Sequence, residues 1–309
     1  MDLTDKKTIK QLLRDNNLPA LKKFGQNFLI NKNILEKIVE SSQLKKDDIV
    51  LEIGPGLGVL TKELAETCEK VIAIEKDKRM IDILKQNLFG FNNVEIIEAD
   101  VLDALQARHH QQDPSEDPSQ DPFEDPSRNS SEDPLRDPSS LKRTGLFDAE
   151  QYKIVSNLPY NIALPIIRKF IETENPPEEM ILMLQKEVAE KLCSSKGSLP
   201  KIAVEFYAKT ELLFNVPKTA FYPEPKVDGA VIKITKIQQN LPNVDEKLFF
   251  KILKIGFSYP RKTILNNLSK LKEKKDAEIW LKKSCIEPKK RPENLLLDDW
   301  VKLCNGFQK

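Results

Sequence analysis

The 309-residue chain is short of the side chains from which metal and redox sites are built, with two histidines and four cysteines. The cysteines, Cys68, Cys193, Cys285 and Cys304, lie far apart and form no CxxC pair. Neither a zinc site nor a disulfide framework is expected, and buried, reduced thiols are the simpler reading. No apolar run approaches the roughly 18 residues of a membrane-spanning helix. The first ten residues carry both signs of charge, without the apolar core of a signal peptide or the Arg/Ser-rich, acid-poor character of a transit peptide. These absences lead to the expectation of a cytoplasmic protein with no metal site and no membrane contact.

The near-neutral formal charge of +1 hides a segregation. Between Asp113 and Asp137 stand nine Asp/Glu and two Arg, a local net of −7, and the remainder carries +8. A basic folded portion suits a polyanionic partner. The acidic stretch repeats Asp-Pro at 113, 117, 121, 125, 133 and 137. Proline at that period forbids helix and ladder alike, and almost nothing apolar is there to be buried. Residues from 106 to about 145 therefore read as a disordered acidic insertion. His109 and His110 at its edge read as a solvated pair rather than metal ligands.

Three apolar runs of strand length come early: Ile49 to Ile53, Val71 to Glu75 and Val94 to Asp100. Between the first two, Leu57, Leu60, Leu64 and Ala65 follow a helical period; between the second and third, Met80, Ile81, Leu84 and Leu88 do the same. Such alternation predicts βαβ units and a parallel sheet. Tyr152 to Ser156 and Met180 to Leu184 supply two more strands, and Thr210 to Val216 with Gly229 to Thr235 read as a final hairpin. From Leu241 the pattern turns helical, with sixteen Lys/Arg against nine Asp/Glu. Two domains are expected, residues 1–240 and a small all-helical unit over 241–309 suited to phosphate contacts.

Chemistry concentrates at the strand ends. Glu52-Ile-Gly-Pro-Gly-Leu-Gly58 falls between the first strand and the first helix, where glycines allow a sharp turn and close approach to a ligand. Glu75 ends the second strand, where a carboxylate can grip ribose hydroxyls. Asp100, at the end of the third, is placed to meet an adenine amino group. Each carboxylate could instead be a helix cap or a surface charge. Asn157-Leu-Pro-Tyr160 follows the fourth strand. The Asn157 amide oxygen and the Leu158 carbonyl can both accept from one exocyclic amine, Pro159 removes a competing N–H, and Tyr160 can stack on a base. The plainer alternative is a strand-end turn.

Together these residues resemble the class I S-adenosylmethionine-dependent methyltransferases, and more narrowly the KsgA-type small-subunit ribosomal RNA adenine dimethyltransferases. Phe24-Gly-Gln-Asn-Phe-Leu29, Phe221-Tyr-Pro-Glu-Pro-Lys-Val-Asp228, Met183 to Val188, Pro260 to Thr263 and Arg291 to Asn294 support the likeness. It covers about residues 20–105 and 150–305. It implies a Rossmann-like, mostly parallel seven-stranded sheet, with S-adenosyl-L-methionine as cofactor. The implied cofactor contacts are Asn27 and Leu29 in the closing N-terminal segment, Gly54 and Gly56 in the loop, Glu75 on ribose, Asp100 on adenine, and Asn157. Asn157 and Leu158 would hold the target N6, with Tyr160 and Phe221 as an aromatic clamp. A core aromatic is the alternative for Phe221.

The implied reaction is two methyl transfers to each of two adjacent adenosines near the 3′ end of small-subunit (16S) rRNA, within a pre-30S particle, by a monomer. The acidic insertion has no counterpart in the family pattern and reads as a spacer. Gly229 stands where serine is usual. Rival readings are a large-subunit rRNA adenine methylase of the erythromycin-resistance type, a DNA adenine methyltransferase, a non-catalytic ribosome-assembly factor, and an NAD-dependent oxidoreductase.

Overall fold

The computed structural model describes residues 1–18, 26–105, 151–159, 162–235, 237 and 244–307. The acidic insertion, both histidines, Phe24 and Tyr160 lie outside the described residues. Seven strands form one sheet: β2 (Ile49–Ile53), β3 (Lys70–Glu75), β4 (Val94–Glu98), β5 (Lys153–Asn157), β6 (Glu179–Gln185), β7 (Lys209–Val216) and β9 (Gly229–Thr235). Their order is β4-β3-β2-β5-β6-β9-β7. The first five run parallel, and β9 returns antiparallel to β6. β2, β3, β5 and β6 read as nearly continuous apolar runs because both their faces are covered.

Two further strands were not legible as such in the sequence. β1 (Phe28–Leu29) and β8 (Phe221–Tyr222) make a separate antiparallel ladder, Phe28 opposite Tyr222 and Leu29 opposite Phe221. Helix Lys6–Asp15 precedes them, with Asp5 accepting from the Thr8 N–H at its N-terminus. It buries Ile9 and Leu13 in the same apolar core as Phe28, Leu29 and Phe221. Helix Lys32–Ser42 adds Leu35 and Ile38 to that core.

The chain divides into two compact units, one of Met1–Ala189 with Glu211–Ile237, the other of Glu190–Thr210 with Gln238–Lys309. The helical unit thus begins earlier than the expected boundary at residue 240 and is built from two stretches of chain. Phe206 packs on Phe249 with ring centroids 4.5 Å apart, and the Tyr207 hydroxyl donates to Glu246 Oε1 at 2.6 Å. Helix Glu246–Gly256 buries Phe249, Ile252 and Leu253, and Trp280, Leu281 and Trp300 complete the core of that unit.

Candidate active site

The site is assembled where the neighbouring parallel strands β2, β3 and β5 run out, at their shared C-terminal ends. After Ile53 the chain turns through Gly54, Gly56 and Gly58, with φ of +68°, +58° and +83°. That left-handed conformation costs other residues about 1–2 kcal/mol each. The surroundings are also tight at two of the three: a Cβ on Gly56 would lie 3.2 Å from Phe28 Cε1, and one on Gly58 2.7 Å from Leu84 Cδ1, so each neighbour would have to shift. On Gly54 a Cβ would meet Pro159 Cδ at 3.7 Å. The loop therefore borders both the N-terminal segment and the Asn-Leu-Pro turn.

Glu75 ends β3 and is 8% exposed. Its Oε2 accepts from the Gly56 N–H at 3.1 Å and its Oε1 from the Asp77 N–H at 2.8 Å. Burial pushes its carboxyl above the ordinary range, and the two backbone donors pull back. Asp100 stands two residues beyond β4, not at its last position. Its Oδ1 accepts from the Leu102 N–H at 2.9 Å, so it caps residues 101–105, which are helical. Its Oδ2 pairs with Lys76 Nζ at 2.7 Å. The helix-cap alternative is thus met, by the same carboxylate that the resemblance assigns to adenine.

Asn157 is the last residue of β5, paired with Met183 of β6. Its side-chain amide makes no hydrogen bond among the described residues. The Leu158 N–H donates to the Met183 carbonyl at 3.1 Å, and its side chain is 1% exposed. Ser156, just before the turn, donates from its hydroxyl to the Ile53 carbonyl at 2.6 Å and accepts from the Ile53 N–H at 3.3 Å. One buried serine therefore fixes β5 against the strand that carries the glycine loop.

Leu29 is buried and Asn27 half-buried in the N-terminal segment. Phe221 is 3% exposed and packed in the apolar core, so contact with a base requires its ring to be uncovered. Three site residues escaped sequence reasoning besides Ser156. Gln26 Nε2 donates to Asp77 Oδ2 at 3.1 Å, joining the N-terminal segment to the loop after β3. Lys76 holds Asp100. Glu52, inside β2, is 2% exposed, and its Oε2 has no partner among the described residues. Burial, with Glu75 adding its charge, pushes the Glu52 carboxyl up to about 8. The signal for Glu52 was present: one acid in an otherwise apolar strand.

A tight left-handed glycine turn, a buried carboxylate ending the second parallel strand and another beyond the third suit an adenosine cofactor. On a sheet of this order they define a class I S-adenosylmethionine-dependent methyltransferase. A family model described as "Ribosomal RNA adenine dimethylase" matches residues 17–309, and the chain belongs to that family.

Over its whole length it is 36% identical to a Ribosomal RNA small subunit methyltransferase A of Streptococcus thermophilus, 99% of which is covered. It is 34% identical to the protein of that name from Enterococcus faecalis, over 97% of this chain and 94% of that one. Among solved structures, a dimethyladenosine transferase from Plasmodium falciparum matches with a TM-score of 0.64 and 28% identity, covering 91% of this chain and 97% of that one. The 23S rRNA methyltransferase ErmE matches with a TM-score of 0.63 at 22% identity, covering 92% of this chain and all of the other, and shares the fold.

Proposed function

We propose that this enzyme dimethylates N6 of two adjacent adenosines near the 3′ end of small-subunit (16S) rRNA, acting in the cytoplasm as a monomer on a pre-30S particle. The observation that carries this reading is the unbonded Asn157 amide at a strand end pinned to the glycine loop by Ser156. Full-length likeness to small-subunit methyltransferases of two bacteria supports the substrate. ErmE shares only the fold at 22% identity, so the large-subunit reading has less behind it. Among the described residues no helix is long and apolar enough to cross a membrane.

When bound, S-adenosylmethionine supplies a methyl group activated by its sulfonium charge. Asn27, Leu29, Gly54, Gly56, Glu75 and Asp100 would hold it, Glu75 on the ribose and Asp100 on the adenine. The Asn157 side-chain oxygen and the Leu158 carbonyl accept from the target N6 amine; no described residue donates to that carbonyl. Two acceptors on one amine orient it and draw its lone pair out of conjugation with the ring. Orientation of this kind supplies a large part of a transfer rate, and the cationic nitrogen that results is strongly acidic and sheds its surplus proton to water. Tyr160 and Phe221 are assigned to stacking on the base, which leaves its helix at a cost of a few kcal/mol. The helical unit, 238–309 with 190–210, holds the surrounding RNA.

The test is transfer of labelled methyl groups to unmethylated small subunits, followed by nucleoside analysis. Wild-type protein should yield N6,N6-dimethyladenosine, and Asn157→Ala should lose about 100-fold or more in rate at saturating cofactor. Label on large-subunit RNA instead would move the substrate. Binding of small subunits without any label would leave an assembly factor.

A further inference from the structure

Helix Lys6–Asp15 ends before residue 17, where the match to the family begins, and none of its residues has a part in the site as described. It is nevertheless anchored, through Ile9 and Leu13, to the core that contains Phe221. Its Lys6 and Lys10 lie four residues apart, hence on one helical face. Both ammonium groups converge on one ring, that of Tyr222, at 5.6 and 5.4 Å from its centroid. Tyr222 is half-buried and follows Phe221 directly.

Lys6 is exposed and Lys10 half-buried, so an anion from solvent can reach this side of the ring, and among the described residues neither lysine has an ion pair. The carboxylates nearest in sequence are engaged elsewhere. Asp2 accepts from Thr4, and Asp5 from the backbone and hydroxyl of Thr8. Glu224 pairs with Lys218 at 3.1 Å, and Asp228 accepts from the Lys218 N–H. The ring offers each cation about 0.5–1 kcal/mol, less than the roughly 1.5–2 kcal/mol of rotamer entropy that fixing a lysine costs, so it biases both side chains toward one place without fixing them. Lysines biased in this way lose less conformational freedom when an anion arrives.

We propose that Lys6 and Lys10, held over Tyr222, form a phosphate clamp for the RNA backbone beside the target adenosine. The inference rests on the reading of the Phe221-Tyr222 loop as the target side of the site. The clamp carries no sequence information; it sets the register of the strand that delivers the base.

The full-length protein would be titrated against unmethylated small subunits over a range of salt, with wild type beside Lys6→Ala/Lys10→Ala. Loss of two single-strand phosphate contacts should lower the slope of log affinity against log salt by about 1.4, roughly 0.7 per contact. Cofactor affinity and thermal midpoint should not move, and Lys6→Arg/Lys10→Arg should keep the wild-type slope. Lys45→Ala/Lys46→Ala removes the same charge from the exposed loop before β2, at the end of that strand away from the glycine turn, and should change the slope less. An unchanged slope in the Lys6/Lys10 variant overturns the clamp, as does an equal loss in the Lys45/Lys46 control. A drop in affinity with no change of slope would assign these lysines to a protein contact and also overturn it. If wild-type protein transfers no methyl group to small subunits, the substrate reading fails first and takes the clamp with it.

Discussion

Glu52 is a carboxyl held where a carboxylate is poorly tolerated. Its folded pKa of about 8 lies above the 4.5 of a free glutamate, so the folded state keeps a proton that the unfolded chain releases. Stability is therefore full below pH 4.5, falls as pH rises through the window from 4.5 to 8, and levels off above it. The total is on the order of a few kcal/mol. Glu52→Gln, neutral at every pH, should match the wild type near pH 5 and exceed its thermal midpoint by several degrees at pH 8; parallel melts across that range decide it. At this scale the sequence was informative where a residue type is rare in its setting. Glu75, Asp100 and Asn157 stood out as polar residues closing apolar runs. Gln26, Ser156 and Lys76 did not, because each acts through a partner brought close only by folding.

Among elements, the parallel strands were read to within about two residues, since strands covered on both faces leave unbroken apolar runs. β1 and β8 were missed: two residues have no period, and their pairing joins positions 28–29 to 221–222. The glycine turn was legible as a motif, but the reason for each glycine was not. Gly56 faces Phe28, and Gly58 faces Leu84. Gly56→Ala should cost about 1–2 kcal/mol from its left-handed φ alone. It should also weaken S-adenosylmethionine binding, because the loop and the Phe28 segment must separate. Calorimetric titration of the cofactor beside a thermal melt separates the two effects.

For the whole molecule, the change from alternating to helical patterning near residue 241 located most of the second unit but missed Glu190–Thr210. That stretch carries no break in composition; it joins the unit because Phe206 and Tyr207 find their partners on helix Glu246–Gly256. A change confined to this unit should leave the cofactor site intact. Gly256→Ala places a Cβ 2.4 Å from Trp300 Cη2, an overpacking that costs about 1–3 kcal/mol. The expected result is a lower thermal transition and weaker binding to small subunits, with cofactor affinity unchanged by titration.

The ladder of β1 and β8 couples two events that chemistry alone leaves separate. Residues Phe28–Leu29 belong to the segment assigned to the cofactor, and Phe221–Tyr222 to the loop assigned to the base. Loosening either edge disturbs the other. Each adenosine needs two methyl groups, and so two molecules of donor. With the two segments paired in this way, replacing the spent donor disturbs the loop assigned to the base. RNA carrying monomethyladenosine should therefore be found released from the enzyme early in the reaction, with dimethylation following on a second encounter; nucleoside analysis of released RNA over time checks this, and dimethyladenosine alone would count against it.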